Sequence, residues 1–129
     1  MMTNTKMTIY NKYLDPFTHK TTYKRHVIEN VFWDDSLGVN LNMGYENADK
    51  VNVYIPYDKN DLSEYVQAKK YNGNGWTLQN GDFIIKGETN INEVSGIKDL
   101  SNYEVFTITV NDDKDFGSKI MQHFEIRGN

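Results

Sequence analysis

At 129 residues, with 38% hydrophobic and 25% charged residues, the chain has room for one domain and one modest core. Cysteine is absent, which excludes disulfide scaffolds, zinc ribbons, iron–sulfur sites and thiol catalysis. The net charge of −4 and only two arginines argue against a protein that grips phosphate, and no apolar run approaches the roughly 18 residues of a membrane span.

The 17 aromatic residues, nine of them Tyr, speak against disorder. Val, Ile, Thr, Tyr, Phe and Trp make up 46 of the 129 positions, beside 16 Asn, 9 Gly and only 2 Ala. That balance favours strands and tight turns over helices. The short polar stretch 1–6 reads as a flexible arm rather than a leader peptide, followed by a single β domain over 7–129.

Thr8–Tyr13 alternates as a strand. Leu14-Asp15-Pro16-Phe17-Thr18 reads as a turn, and a second strand over Lys20–Phe32 completes a first hairpin. Val39-Asn40-Leu41-Asn42-Met43 has the cleanest period-two pattern, and Val51–Ile55 repeats it before Pro56 stops it. Residues 57–75 form a long excursion. Within it, Asp61–Lys70 fits a helical turn or an irregular strand equally, and Gly73-Asn74-Gly75 is a break.

Gln79-Asn80-Gly81-Asp82 is a tight turn leading into the strand Phe83–Lys86. Glu93–Leu100 reads as a short helix capped by Asn92. Tyr103–Val110 is a strand with Phe106, Ile108 and Val110 on one face. A solvated loop over Asn111–Gly117 and a last strand over Lys119–Ile126 follow. The expectation is a mainly β fold, a small barrel or sandwich of seven or eight short strands with one or two short helices and a long loop.

Chemistry-bearing motifs are sparse. His19, His26 and His123 lack a metal-ligand spacing. Counted from Asn111, a calcium loop through Asp113 and Asp115 needs glycine at its sixth position and glutamate at its twelfth. The sequence has Phe116 and Gln122 there. No nucleophile elbow, phosphate loop or dinucleotide fingerprint is present, so the chain reads as a non-enzyme without cofactor or metal. Tyr54, Tyr57, Tyr65, Tyr71 and Trp76 cluster about the excursion. They fit either a contact surface or a loop folded back on the body.

Several blocks taken together resemble a family of small structural proteins from tailed phages and prophages of Gram-positive bacteria. They are Thr8-Ile9-Tyr10-Asn11-Lys12-Tyr13, Val27-Ile28-Glu29-Asn30-Val31-Phe32-Trp33, Ala48-Asp49 before Val51-Asn52-Val53-Tyr54-Ile55-Pro56, the run from Trp76-Thr77-Leu78 to Phe83-Ile84-Ile85-Lys86-Gly87-Glu88, and Val105-Phe106-Thr107-Ile108. The resemblance spans about Met7 to Arg127. It implies a head–tail connector or stopper in the virion neck, assembled in the bacterial cytoplasm as a ring of 6 or 12 copies. The ring would lie between portal-side and tail-side proteins, with DNA passing through unbound and no membrane contact.

On that reading the excursion supplies the contacts through Tyr57, Asp61, Tyr65, Lys69, Lys70, Tyr71 and Trp76. Asn80, Asp82, Asp112, Asp113 and Asp115 form secondary contact loops. The alternative is a carbohydrate- or protein-binding module of a tail or baseplate. Exposed, coplanar Tyr65, Tyr71 and Trp76 would mark that alternative.

Overall fold

The computed structural model describes residues 2–35, 50–115, 117–118 and 121–129. The fold is mainly β, with six antiparallel strands: β1 (Thr5–Leu14), β2 (Thr21–Asp34), β3 (Val51–Pro56), β4 (Phe83–Lys86), β5 (Phe106–Lys114) and β6 (His123–Gly128). The ladder runs β1-β2-β3-β6-β5-β4 and returns from β4 to β1, so the sheet closes on itself. Closure leaves few unpaired strand edges, which suits a chain whose strands are short.

Six strands stand among the described residues where seven or eight were expected, and the strand expected at Val39–Met43 lies outside those residues. The expected helix at Glu93–Leu100 is only a 3-10 turn over Ile97–Leu100, because Gly96 ahead of it is fully extended. No α-helix occurs among the described residues. β1 starts at Thr5, inside the expected arm. The Asn4 side chain donates to the Trp33 carbonyl and accepts from the Trp33 amide, pinning the segment to β2.

The expected loop at 111–117 is strand as far as Lys114, with Asp112 opposite Glu125 and Asp113 opposite Phe124. The ladder slips between Ile108 and Val110. That extra residue turns Val110 out to 49% exposure while Phe106 and Ile108 stay inside. Of the expected last strand, 119–120 lie outside the described residues, and β6 runs from His123.

Two cores result. The larger fills the inside of the closed sheet with Met7, Ile9, Ile28, Val31, Trp33, Val51, Val53, Ile55, Ile84, Phe106, Ile108, Phe124 and Ile126, and Trp76 and Leu78 enter from the connecting chain. The smaller lies on the outer face of β1 and β4, where Tyr10, Phe83 and Ile85 meet Val94 and Leu100. Both faces of β1 are therefore buried from Met7 to Asn11, which explains its unbroken buried run. Beyond the Tyr10–Phe83 pair, β1 loses β4 and pairs with β2 alone. The hairpin thus projects past the rest of the sheet to its tip at residues 15–20.

Candidate functional site

A cleft lies where β2 parts from β3. β3 pairs with β2 only from Phe32 to Asp34, whereas β1 accompanies β2 from Thr21 to Val31. The excursion crosses the gap. It leaves a cleft of about 390 Å³ walled by His26–Asn30 on one side and by Lys59, Asn60, Asp61 and Glu64 on the other, with Trp76 at its base.

Asn60 closes the end next to β3. Its amide oxygen accepts from the Asn30 amide at 3.0 Å, and its nitrogen donates to the carbonyls of Asn30 at 2.8 Å and Pro56 at 2.9 Å. Asn30 Nδ2 in turn donates to the Lys59 carbonyl at 2.7 Å. A side-chain amide carries the same donor and acceptor as a peptide unit, so Asn60 substitutes for one residue of a neighbouring strand.

His26 stacks on Trp76, with ring centroids 5.5 Å apart and planes 17° from parallel. Its Nδ1 lies 4.0 Å from Glu64 Oε2. Burial pushes the imidazole below its ordinary pKa, the Glu64 carboxylate pulls it up, and the Arg25 charge pushes it down. A histidine held neutral in the fold must charge on unfolding in acid. Its contribution to stability is therefore whole above its ordinary value near 6.5 and is lost as pH falls toward the folded value. NMR titration of the His26 ring will show the depressed midpoint, and Glu64→Gln will depress it further. A midpoint that rises in the variant would refute the assignment.

Asp61 Oδ1 accepts from the Ser63 amide at 2.9 Å, which holds that carboxyl below the usual range. Glu29 pairs with Lys6 at 3.2 Å across an exposed surface. The cleft thus presents a stretch of β2 edge, the His26 ring over buried Trp76, and a rim carrying Glu29, Asp61 and Glu64.

The excursion returns to the body through a short parallel bridge. The Trp76 amide donates to the Glu64 carbonyl at 3.0 Å, and the Val66 amide donates to the Trp76 carbonyl at 2.8 Å. Gly75 makes the turn with φ of +73°, and a Cβ there would lie 2.1 Å from the Glu64 oxygen. Gly75→Ala will cost about 2 kcal/mol or more, from left-handed strain plus displacement of that carbonyl. Denaturant titration measures it, and a loss under about 0.5 kcal/mol, ordinary for a surface change, would show that the turn relaxes freely.

The candidate contact residues part into two groups. Tyr57, Tyr65 and Trp76 converge on Phe124, with centroids 4.9, 4.7 and 6.0 Å from it, and Trp76 is 1% exposed. These rings anchor the excursion to the core. Tyr71 packs edge-on against Tyr13 at 6.3 Å, and burial with the Asp82 charge pushes its hydroxyl up to about 12. Asp61, Lys69 and Lys70 face outward.

Tyr65 and Trp76 meet at 61° and Trp76 is covered, so no flat aromatic platform for a sugar forms. Asp82, expected in a contact loop, is buried at 1% exposure, while Asn80 stays exposed and accepts from Asn111 Nδ2 at 2.7 Å. Asp112 pairs with Lys114 at 2.6 Å, Asp113 accepts from the Tyr57 hydroxyl, and Asp115 is exposed.

His26, Asn60 and Glu64 escaped sequence reasoning because the cleft joins β2 to a segment some 30 residues away. A histidine within a strand-forming stretch was the only local cue. Among the described residues no three side chains of metal-ligand type converge.

A closed antiparallel sheet carrying an anchored excursion and a cleft makes this a small, mainly β domain. Residues 2–129 match the model of a family of unknown function (DUF6751), and the chain belongs to that family. No curated protein and no solved structure matches it.

Proposed function

We propose that the protein is a structural subunit of a tailed-phage neck, one copy in a ring that joins the head side to the tail. The sequence blocks set out above support this reading. The closed sheet, as a small β-barrel, serves as the rigid body, and the excursion presents Asp61, Lys69 and Lys70 to neighbouring proteins while its aromatic residues hold it in place.

One observation carries the geometric case. At the tip of the projecting β1–β2 hairpin, Phe17 is 91% and Leu14 58% exposed. One apolar side chain in solvent is ordinary, but two on the tip of an arm form a contact that another molecule covers. Ring subunits need such a protrusion, because a head-to-tail interface joins unlike surfaces of identical copies. The net charge of −4 suits a conduit along which DNA slides without adhering.

Deleting the gene from a phage or prophage that carries it will leave filled heads and separate tails. Mass spectrometry of complete particles will find the protein in several copies each. Complete, infectious particles lacking it would overturn the reading.

A further inference from the structure

We propose that the ring seam is formed by the β1–β2 hairpin tip of one copy seated in the β2–excursion cleft of the next. The inference rests on the ring reading and names the surfaces that make the ring. The two surfaces are complementary in charge and in character. The tip carries Phe17 and Leu14 in solvent, flanked by exposed Lys12, Lys20 and Lys24. Its one acid, Asp15, is occupied in holding the amides of Phe17 and Thr18 at 2.8 and 3.3 Å, so the turn is stiff before it binds.

The cleft is acidic at its rim, with Glu29, Asp61 and Glu64 against the single Lys59. Its floor is the His26 ring, 27% exposed and stacked on Trp76, which like Ile28 is itself buried. An aromatic ring from a neighbour meets the exposed part of the His26 ring there, and a lysine beside it finds carboxylates. Glu64 is two-thirds exposed beside the imidazole of His26, whereas Glu29 already has Lys6 and Asp61 holds the Ser63 amide, so Glu64 is the acid best placed for an incoming lysine.

Tip and cleft differ, so the contact is heterologous: each copy uses its tip once and its cleft once, and the chain of copies closes into a ring when the rotation from copy to copy completes a full turn. Both surfaces sit on well-held backbone, the tip on a continuous two-stranded ladder and the cleft on the Asn60 clasp and the Trp76 bridge.

Two exposed substitutions test this without threatening the fold. Phe17→Ser disables the tip, and Glu64→Lys disables the cleft. Sedimentation velocity and light scattering of the wild-type chain will show self-association beyond the dimer as concentration rises. Each variant alone will show association weakened by about tenfold or more, with unchanged thermal melting. Mixed one to one, the variants will stop at dimers, because only the intact tip of one fits the intact cleft of the other. Association of either variant at wild-type strength overturns the seam, as does a wild-type chain still monomeric near ~1 mM. Such a failure leaves the neck reading, judged on particles, where it stands.

Discussion

Replacing Trp76 with alanine will destabilise the protein by about 3–5 kcal/mol, the range for a fully buried large aromatic, and is the most damaging single truncation the structure offers. Trp76 is the largest of the side chains with essentially no exposure. It meets His26, Tyr65 and Phe124, and its backbone bonds to Glu64 and Val66 close the excursion. Loss of the ring therefore opens a cavity in the main core and frees the wall of the cleft together. The measurement is a urea titration followed by tryptophan fluorescence from Trp33 and by circular dichroism. The excursion, followed by proteolysis between Asp61 and Gly75, will become susceptible at lower denaturant than the sheet. A loss under about 1.5 kcal/mol, within reach of a tolerated core swap, would mean that the neighbours collapse into the gap.

Asp82→Ala will cost about 3 kcal/mol, because it leaves buried donors without their acceptor. Asp82 Oδ2 accepts from Asn11 Nδ2 at 2.8 Å and Gln79 Nε2 at 2.9 Å, and Oδ1 accepts from the Lys12 amide at 3.0 Å. All three partners are donors, and an alanine leaves them no acceptor. Asn11 is itself fixed, since its Nδ2 also donates to the Thr77 carbonyl and its Oδ1 accepts from the Thr77 amide, so the amide cannot flip to compensate.

The same site has a pH signature. Burial raises the Asp82 carboxyl above its ordinary value, and the bonds from Asn11, Gln79 and Lys12 only partly oppose it. A raised pKa in the fold means that this group's contribution is whole below the unfolded value and falls as pH rises through the folded one. The stability gap between wild type and Asp82→Ala will therefore narrow as pH rises from about 4 toward neutrality. A gap that widens over that range would show the bonds outweighing burial.

The class of fold was legible because the alternation of β1 and β3 and the short apolar run of β4 are local properties, written in Thr8-Ile9-Tyr10, Val51-Val53-Ile55 and Phe83-Ile84-Ile85. The turn at Asn80-Gly81 was equally plain, since Gly81 takes the positive φ that its position predicts. Element ends were harder. Asn111 to Lys114 looks like a loop in composition, yet cross-strand partners at His123 to Ile126 extend β5 through it. Val110 looked inward by parity until the slip in register beside it reversed the count.

The site was legible only in part, for a related reason. The aromatic residues of the excursion were visible as a cluster, but whether they faced solvent or core depended on Phe124, nearly 50 residues on from Trp76. Asp82 reads as an ordinary turn acid until Asn11 is brought against it from β1. The exposed Phe17 followed from its place beside Pro16, although nothing local marked the arm beneath it as projecting.

The closure of the sheet also sets the tempo of folding. Its two longest-range ladders join Met7 to Lys86 and Val51 to Gly128, pairs nearly 80 residues apart. The β1–β2 hairpin needs only its own tip and assembles early, in microseconds, whereas the distant pairings bring returns only after large loops have closed. The complete molecule will accordingly fold in milliseconds to seconds. On the ribosome, β6 is the strand that unites β3 with β5, so the nascent chain holds an open sheet until the last residues of that strand emerge.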